Sequence, residues 1–255
     1  LASVLIQSLQ AHGVAATAKH FPGDGMDDRD QHLVTTINNL PFAQWQATYG
    51  QVWRQVIEAG VYTIMPGHIS LPDYQGYADD PAAAPPATTS RKLLIDLLRG
   101  ELGYQGLIVS DSMTMIGITS RTTPSERAVA SFAAGIDLYL NADPEHDLAR
   151  VVQAVREGRL SEEGIYQSAR RVLELKAKLN LPESPFGPAP SDAQKVAFAN
   201  AAQELADKSV TILRGQEQIP VQLQTGGKVL TVTIANLNPM FGQKDLEVFD
   251  EELRS

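Results

Sequence analysis

Four short apolar runs recur along the chain, near residues 14–20, 61–66, 107–111 and 136–140, and stretches with helical spacing of apolar residues separate them. No other feature narrows the fold as far. Strand, helix, strand, helix with turns between is the pattern of a parallel sheet covered by helices, because parallel neighbours require a crossover. The expected class is therefore α/β. Polar residues gather just where three of these runs end: Lys19-His20, Gly67-His68 and Ser110-Asp111. Barrel and open-sheet enzymes place their chemistry at those strand ends.

The spacing predicts helices over Leu1 to His12, with Val4, Leu5, Leu9 and Ala11 near one face, and over Phe42 to Ala59, with Trp45, Tyr49, Val52, Trp53, Val56 and Ile57 together. Gly13 and Gly60 stop them. Trp45 and Trp53 read as core residues rather than a sugar platform. Leu71 to Ala87 reads as a long loop, after which Thr89 or Ser90 can cap a helix running to Leu98 or Leu102. Further helices are expected over Ser125 to Ala134, Pro144 to Glu157 and Ser161 to about Leu179. The Pro-rich stretch Leu181 to Pro190 marks a boundary. Beyond it, a helix from Asp192 to Ser209 and the runs Val210 to Leu213 and Val229 to Ile234 read as the start of a second α/β domain. The acids from Asp245 to Glu252 read as a solvated face.

Composition removes several function classes. A net charge of −9 disfavours nucleic acid and anionic membrane as partners, since both reward Lys/Arg patches. No apolar stretch is long enough to span a bilayer. Cysteine is absent, so disulfides and thiolate metal sites are unavailable. The compartment stays open between cytoplasm and cell envelope or secretion, as does the oligomeric state.

One loop concentrates the chemistry. After Lys19-His20, a Pro22-Gly23 break leads into Asp24, Asp27, Asp28, Asp30 and His32. In locally extended backbone, Asp30 and His32 lie on one side, two residues apart. A carboxylate bonded to an imidazole fixes its tautomer and favours its protonated form, which suits a general acid. An acidic, merely solvated loop is the competing reading of these residues. For Asp111 it is a helix cap or solvated turn; for Lys19 and His20, a satisfied barrel pair; for His68, a structural histidine. His12 and His146 read as surface residues.

Three ordered segments resemble the N-terminal catalytic barrel of glycoside hydrolase family three, in its β-N-acetylglucosaminidase branch. They are Lys19-His20-Phe21-Pro22-Gly23-Asp24-Gly25 with Asp30-x-His32, then Ile64-Met65-Pro66-Gly67-His68-Ile69, then Pro86 through Met115, which includes Ser110-Asp111-Ser112-Met113. The match runs from about Gly13 to Leu179, and Ala201 to Leu213 resembles the start of that family's αβα-sandwich domain. The resemblance implies Asp111 as nucleophile and His32, assisted by Asp30, as acid/base. It implies that Lys19 and His20 bind sugar hydroxyls, with His68 and Met115 lining the sugar site. Two positions depart from the pattern: Gln31, where the branch commonly has a small residue, and Asp24, where many members carry His.

The implied activity is retaining removal of terminal β-linked N-acetylglucosamine from peptidoglycan- or chitin-derived saccharides, with no metal or organic cofactor and a small carbohydrate as the partner. Other family-three glycosidases, a glycoside phosphorylase, and a non-catalytic sugar-binding fragment stay open beside it. The absence of an initiator Met and the length before the linker bear on completeness. A closed eightfold barrel takes about 250 residues, more than residues 1–180 supply. The expectation is the C-terminal half of a (β/α)8 TIM-type barrel over 1–180, a linker at 181–191 and a partial sandwich domain over 192–255.

Overall fold

The computed structural model describes residues 1–181, 183, 189–211, 213–214 and 216–218, and the chain divides into two compact units, Leu1–Gly187 and Pro188–Ser255. The first unit is α/β. Helix α1 (Ala2–Ala11) precedes strand β1 (Thr17–Phe21); then come β2 (Thr36–Ile37), α2 (Phe42–Ala47), α3 (Tyr49–Glu58), β3 (Thr63–Pro66), β4 (Ile69–Ser70), the short α4 (Pro72–Gln75), a wide π-type helix Lys92–Glu101 and β5 (Leu107–Ile108). The remainder is helical: α5 (Ile116–Thr119), α6 (Pro124–Ala134), α7 (Pro144–Arg156) and α8 (Glu162–Lys178).

The main sheet is parallel and runs β1-β3-β5, with Thr17 opposite Thr63 and Ile64 opposite Ile108. All three strands therefore end along one rim. The Lys19–His20 and Phe21–Pro22 peptide bonds are cis, and the β1–β3 register slips between Lys19 and Phe21. A second parallel pair, β2 with β4, was not foreseen. It brings the chain back from the Asp24–Val34 loop, where the Thr36 N–H donates to the His68 carbonyl at 3.1 Å.

The run expected as a strand at 136–140 contributes one rung, between Val109 and Leu138. Side chains replace the rest of the ladder. Asp137 Oδ2 accepts the Ile108 N–H, and Ser110 Oγ accepts the Leu140 N–H, both at 2.9 Å. Asp137 also takes Arg99 at 2.7 Å, Ser168 at 2.8 Å and Arg171 at 3.1 Å. Its side chain is 1% exposed. Burial lowers the Arg99 pKa while Asp137 opposes that shift, so a fully bonded carboxylate knots the wide helix, β5 and α8 together.

Several helices differ from expectation. The helix expected from 42 to 59 breaks at Thr48, whose hydroxyl donates back to the Gln44 carbonyl at 2.7 Å. The break lets Gly50 sit against the Trp45 ring. Trp45, Trp53 and Val56 are buried, whereas Val52 faces outward. In α1 it is Ile6 that enters the core, and Val4, Leu5 and Leu9 stay exposed; among the described residues α1 packs against α3. The helix expected from Thr89 or Ser90 begins at Lys92 and is wide, with Leu93, Leu94, Leu97 and Leu98 buried. The long segment after Leu71 holds α4 and two 3₁₀ turns, organised by Gln75, whose carboxamide accepts from Leu71 and donates to the Pro85 carbonyl, each at 2.8 Å.

In the second unit, α9 (Asp192–Ser209) opens with a reciprocal cap between Ser191 and Gln194. Val210, Thr211 and Leu213 belong to no regular element. Ile212, Val229–Ile234 and Asp245–Glu252 lie outside the described residues, as does most of the expected linker.

Candidate active site

The rim where the parallel strands end collects the polar residues singled out above. β1 presents His20, β3 leads through Pro66-Gly67 to His68, and β5 leads through Val109-Ser110 to Asp111. His20 Nε2 lies 3.6 Å from Asp111 Oδ2, and its Nδ1–H donates to Asp24 Oδ2 at 2.8 Å. His20 thus stands between two carboxylates.

Asp111 is far less exposed than Asp24 or Asp30. Its Oδ1 accepts the Ser112 N–H at 2.7 Å. Its Oδ2 is buried and has no hydrogen-bond partner among the described residues. A buried, unpaired carboxylate oxygen is costly, and native proteins keep few of them outside functional sites. This oxygen has lone pairs uncommitted to any donor, as a nucleophile needs.

The Asp30–His32 arm is internally closed. Asp30 Oδ1 accepts both the His32 backbone N–H at 2.9 Å and the ring Nδ1–H at 2.7 Å. First that backbone bond and then the ring bond hold the Asp30 carboxyl below its ordinary value. With Nδ1 committed, Nε2 is the ring atom left for proton exchange. Both side chains are more than half exposed. The arm is nevertheless docked on the segment that follows Asp111, because the His32 carbonyl accepts the Ile116 N–H at 3.1 Å and Thr35 donates to the Gly117 carbonyl at 2.6 Å.

The loop is braced at its root as well. Asp27 accepts from Arg29 and from the Ile37 N–H, and chiefly the Arg29 guanidinium holds its carboxyl well below the usual range. The indole N–H groups of Trp45 and Trp53 both donate to the Pro22 carbonyl at 3.0 Å. The core expectation for the two tryptophans therefore stands, with this added bond.

His68 is fully buried. Its Nε2–H donates to the Ser112 carbonyl and its Nδ1 accepts the Thr88 hydroxyl, both at 2.9 Å. Burial pulls its pKa down, against the opposing pull of the Ser112 carbonyl and Asp111, so the ring is neutral. Both ring nitrogens are spent on protein groups. Met115 is buried at the start of α5. Lys19 is exposed and lines a groove of about 320 Å³ between α1, β1 and α3. The residue within ion-pair distance of Asp111 is His20, not Lys19.

Concavity alone would not find this cluster. Of four hollows of about 320–420 Å³, one is lined by Lys19, and none is lined by His20, His32 or Asp111. Sequence reasoning also passed over Thr88, Ser112 and the placement of Gln31. A hydroxyl or carboxamide carries no local signal until its partner is known. Among the described residues no group of three or more His, Asp or Glu is arranged to hold a metal ion, and no helix is long and apolar enough to cross a membrane.

The profile of the glycosyl hydrolase family 3 N-terminal domain matches residues 1–175. The chain belongs to that family. A β-N-acetylglucosaminidase/β-glucosidase of Cellulomonas fimi is 36% identical over 248 residues, covering 93% of this family 3 chain and 44% of the relative. A β-hexosaminidase of Methylobacillus flagellatus is 36% identical over 140 residues, or 55% of the chain and 38% of the relative. Among solved structures, a β-glucoside phosphorylase superposes with a TM-score of 0.75 at 31% identity, over 86% of this chain and 41% of its own. A family 3 β-N-acetylglucosaminidase of Paenibacillus sp. FPU-7 gives 0.66 at 31% identity, over 74% and 36%. The chain thus spans less than half the length of these relatives.

Proposed function

We propose that the protein carrying this chain is a retaining exo-glycosidase that removes terminal β-linked N-acetylglucosamine from peptidoglycan- or chitin-derived saccharides. The observation that carries the reading is Asp111 Oδ2, buried and unpartnered at the strand-end rim, with the Asp30–His32 arm docked on the segment that follows it. In the first step Asp111 attacks the anomeric carbon, the glycosidic bond breaks, and His32 Nε2–H gives its proton to the departing oxygen. In the second, water loses a proton to Nε2, adds to the anomeric carbon and displaces Asp111. Asp30 holds the ring in the tautomer that both steps require. Lys19 and His20 are assigned to sugar hydroxyls. The buried, doubly bonded ring of His68 favours a positioning role over sugar contact, and the burial of Met115 fits a wall of the subsite.

The relatives' names and their greater length support two further readings. The strands β1, β3 and β5, with the rung at Leu138, are read as four successive staves of an eight-stranded barrel, and α9 is read as the opening helix of an αβα-sandwich domain. A phosphorylase is the second functional reading, favoured by the likeness to a β-glucoside phosphorylase. A neutral imidazole arm would repel an anionic acceptor less than a carboxylate would. Product analysis with and without phosphate separates the two outcomes.

The decisive experiment is covalent trapping with a slowly released fluorinated N-acetylglucosaminide, followed by peptide mass mapping. The adduct is expected on Asp111, and Asp111→Asn is expected to abolish turnover. His32→Ala should spare aryl glycosides whose leaving groups need little protonation. An adduct on another residue, or equal loss by His32→Ala on activated and unactivated substrates, would overturn the assignment.

A further inference from the structure

Between the two exposed members of the dyad sits a buried residue that the mechanism above leaves unused. Gln31 is 7% exposed, and its Oε1 accepts the backbone N–H of His68 at 2.9 Å. Two glycines make room for it. A Cβ on Gly67 would lie 2.7 Å from that same oxygen, and one on Gly117 would collide with the Gln31 carbonyl. A small side chain at position 31 could not span from the arm to the end of β3.

The contact does not stop at His68. The His68 ring donates to the Ser112 carbonyl, and the Ser112 N–H donates to Asp111 Oδ1. A continuous run of bonds therefore links the middle of the Asp30–His32 arm to the carboxylate of Asp111. We propose that Gln31 is a positioning residue, whose buried carboxamide anchors the arm to the rim and holds His32 in register with Asp111. Losing the acceptor would strand the His68 N–H away from water, so the arm loses its tie and a buried donor is left unpaired.

Its effect on turnover rests on the glycosidase reading above; the anchoring does not. Two substitutions in the protein carrying this chain test it. Gln31→Met keeps volume and removes the acceptor, while Gln31→Glu keeps an acceptor at the same reach. Hydrogen exchange over residues 26–35 is expected to quicken about tenfold in Gln31→Met and to stay near wild type in Gln31→Glu. In Gln31→Met, kcat on an unactivated saccharide is expected to fall roughly tenfold with KM unchanged, and kcat on an activated aryl glycoside to change little. Unchanged exchange in Gln31→Met, or equal quickening in both variants, overturns the anchor. Equal loss on both substrates by Gln31→Met, with His32→Ala still discriminating between them, overturns the positioning role. Quickened exchange in Gln31→Met alone, with no discrimination even by His32→Ala, upholds the anchor and removes the acid assignment instead.

Discussion

His68 shows how one buried ring can tie separate segments of the rim together. Its neutral ring needs both a donor and an acceptor, and Thr88 and Ser112 supply them at 2.9 Å. Because burial lowers its folded pKa below the ordinary value near 6.5, the unfolded chain binds a proton first as pH falls. Stability is then full above about pH 6.5 and declines below it, towards the lowered folded value. Asp111, His20 and His32 are the charged or titratable groups that also act on it. Urea unfolding between pH 8 and pH 5 should show that decline, and His68→Asn should flatten it; parallel curves for the two proteins would sink the assignment. None of this was legible from His68 in the sequence. A histidine after a strand reads equally well as ligand or as structure until its partners are placed.

At the scale of elements, the turn that ends β1 and launches the dyad loop is held from below by α2 and α3. Trp45 and Trp53 lie on different helices yet donate to one carbonyl, and Phe21 packs edge-on against both rings at 6.3 and 5.2 Å. Gly23 follows with φ +135°, and a Cβ there would enter the Tyr49 ring. Gly23→Ala should therefore cost about 1–3 kcal/mol from overpacking, with backbone strain in addition. Gly60→Ala, at φ +77° with nothing within 4 Å, should cost only the strain of about 1 kcal/mol. Thermal or urea unfolding of both variants checks the contrast, and equal costs would mean that the Tyr49 contact is unimportant. The sequence marked Pro22-Gly23 as a turn and the tryptophans as core. That a core residue of one helix and a core residue of the next would share an acceptor in the loop needed the break at Thr48.

For the first unit as a whole, Asp137 is the joint where sheet, wide helix and α8 meet. Removing it leaves Arg99 and Arg171 without their shared carboxylate and the Ile108 N–H without its acceptor. Asp137→Ala should destabilise by about 3–5 kcal/mol, the range for breaking one side of a buried pair. Asp137→Asn should cost less, since its amide oxygen still accepts a bond; urea midpoints rank the two, and the reverse order would contradict the role given to that oxygen. The α/β class and the rim carrying His20, His68 and Asp111 were legible in the sequence alone. Apolar periodicity and chain direction oblige parallel strands to end on one side. The Asp30-x-His32 pairing was legible too, but not its geometry: the backbone expected to be extended is a turn at 31–33, in which the Asp30 carbonyl accepts the Leu33 and Val34 N–H groups. Only the tertiary structure decided that Asp137 and Ser110 replace a strand's ladder, that His20 rather than Lys19 meets Asp111, and that Gln31 turns inward between two exposed neighbours. Each of those outcomes depends on partners tens of residues away, whose positions exist only after the sheet has assembled.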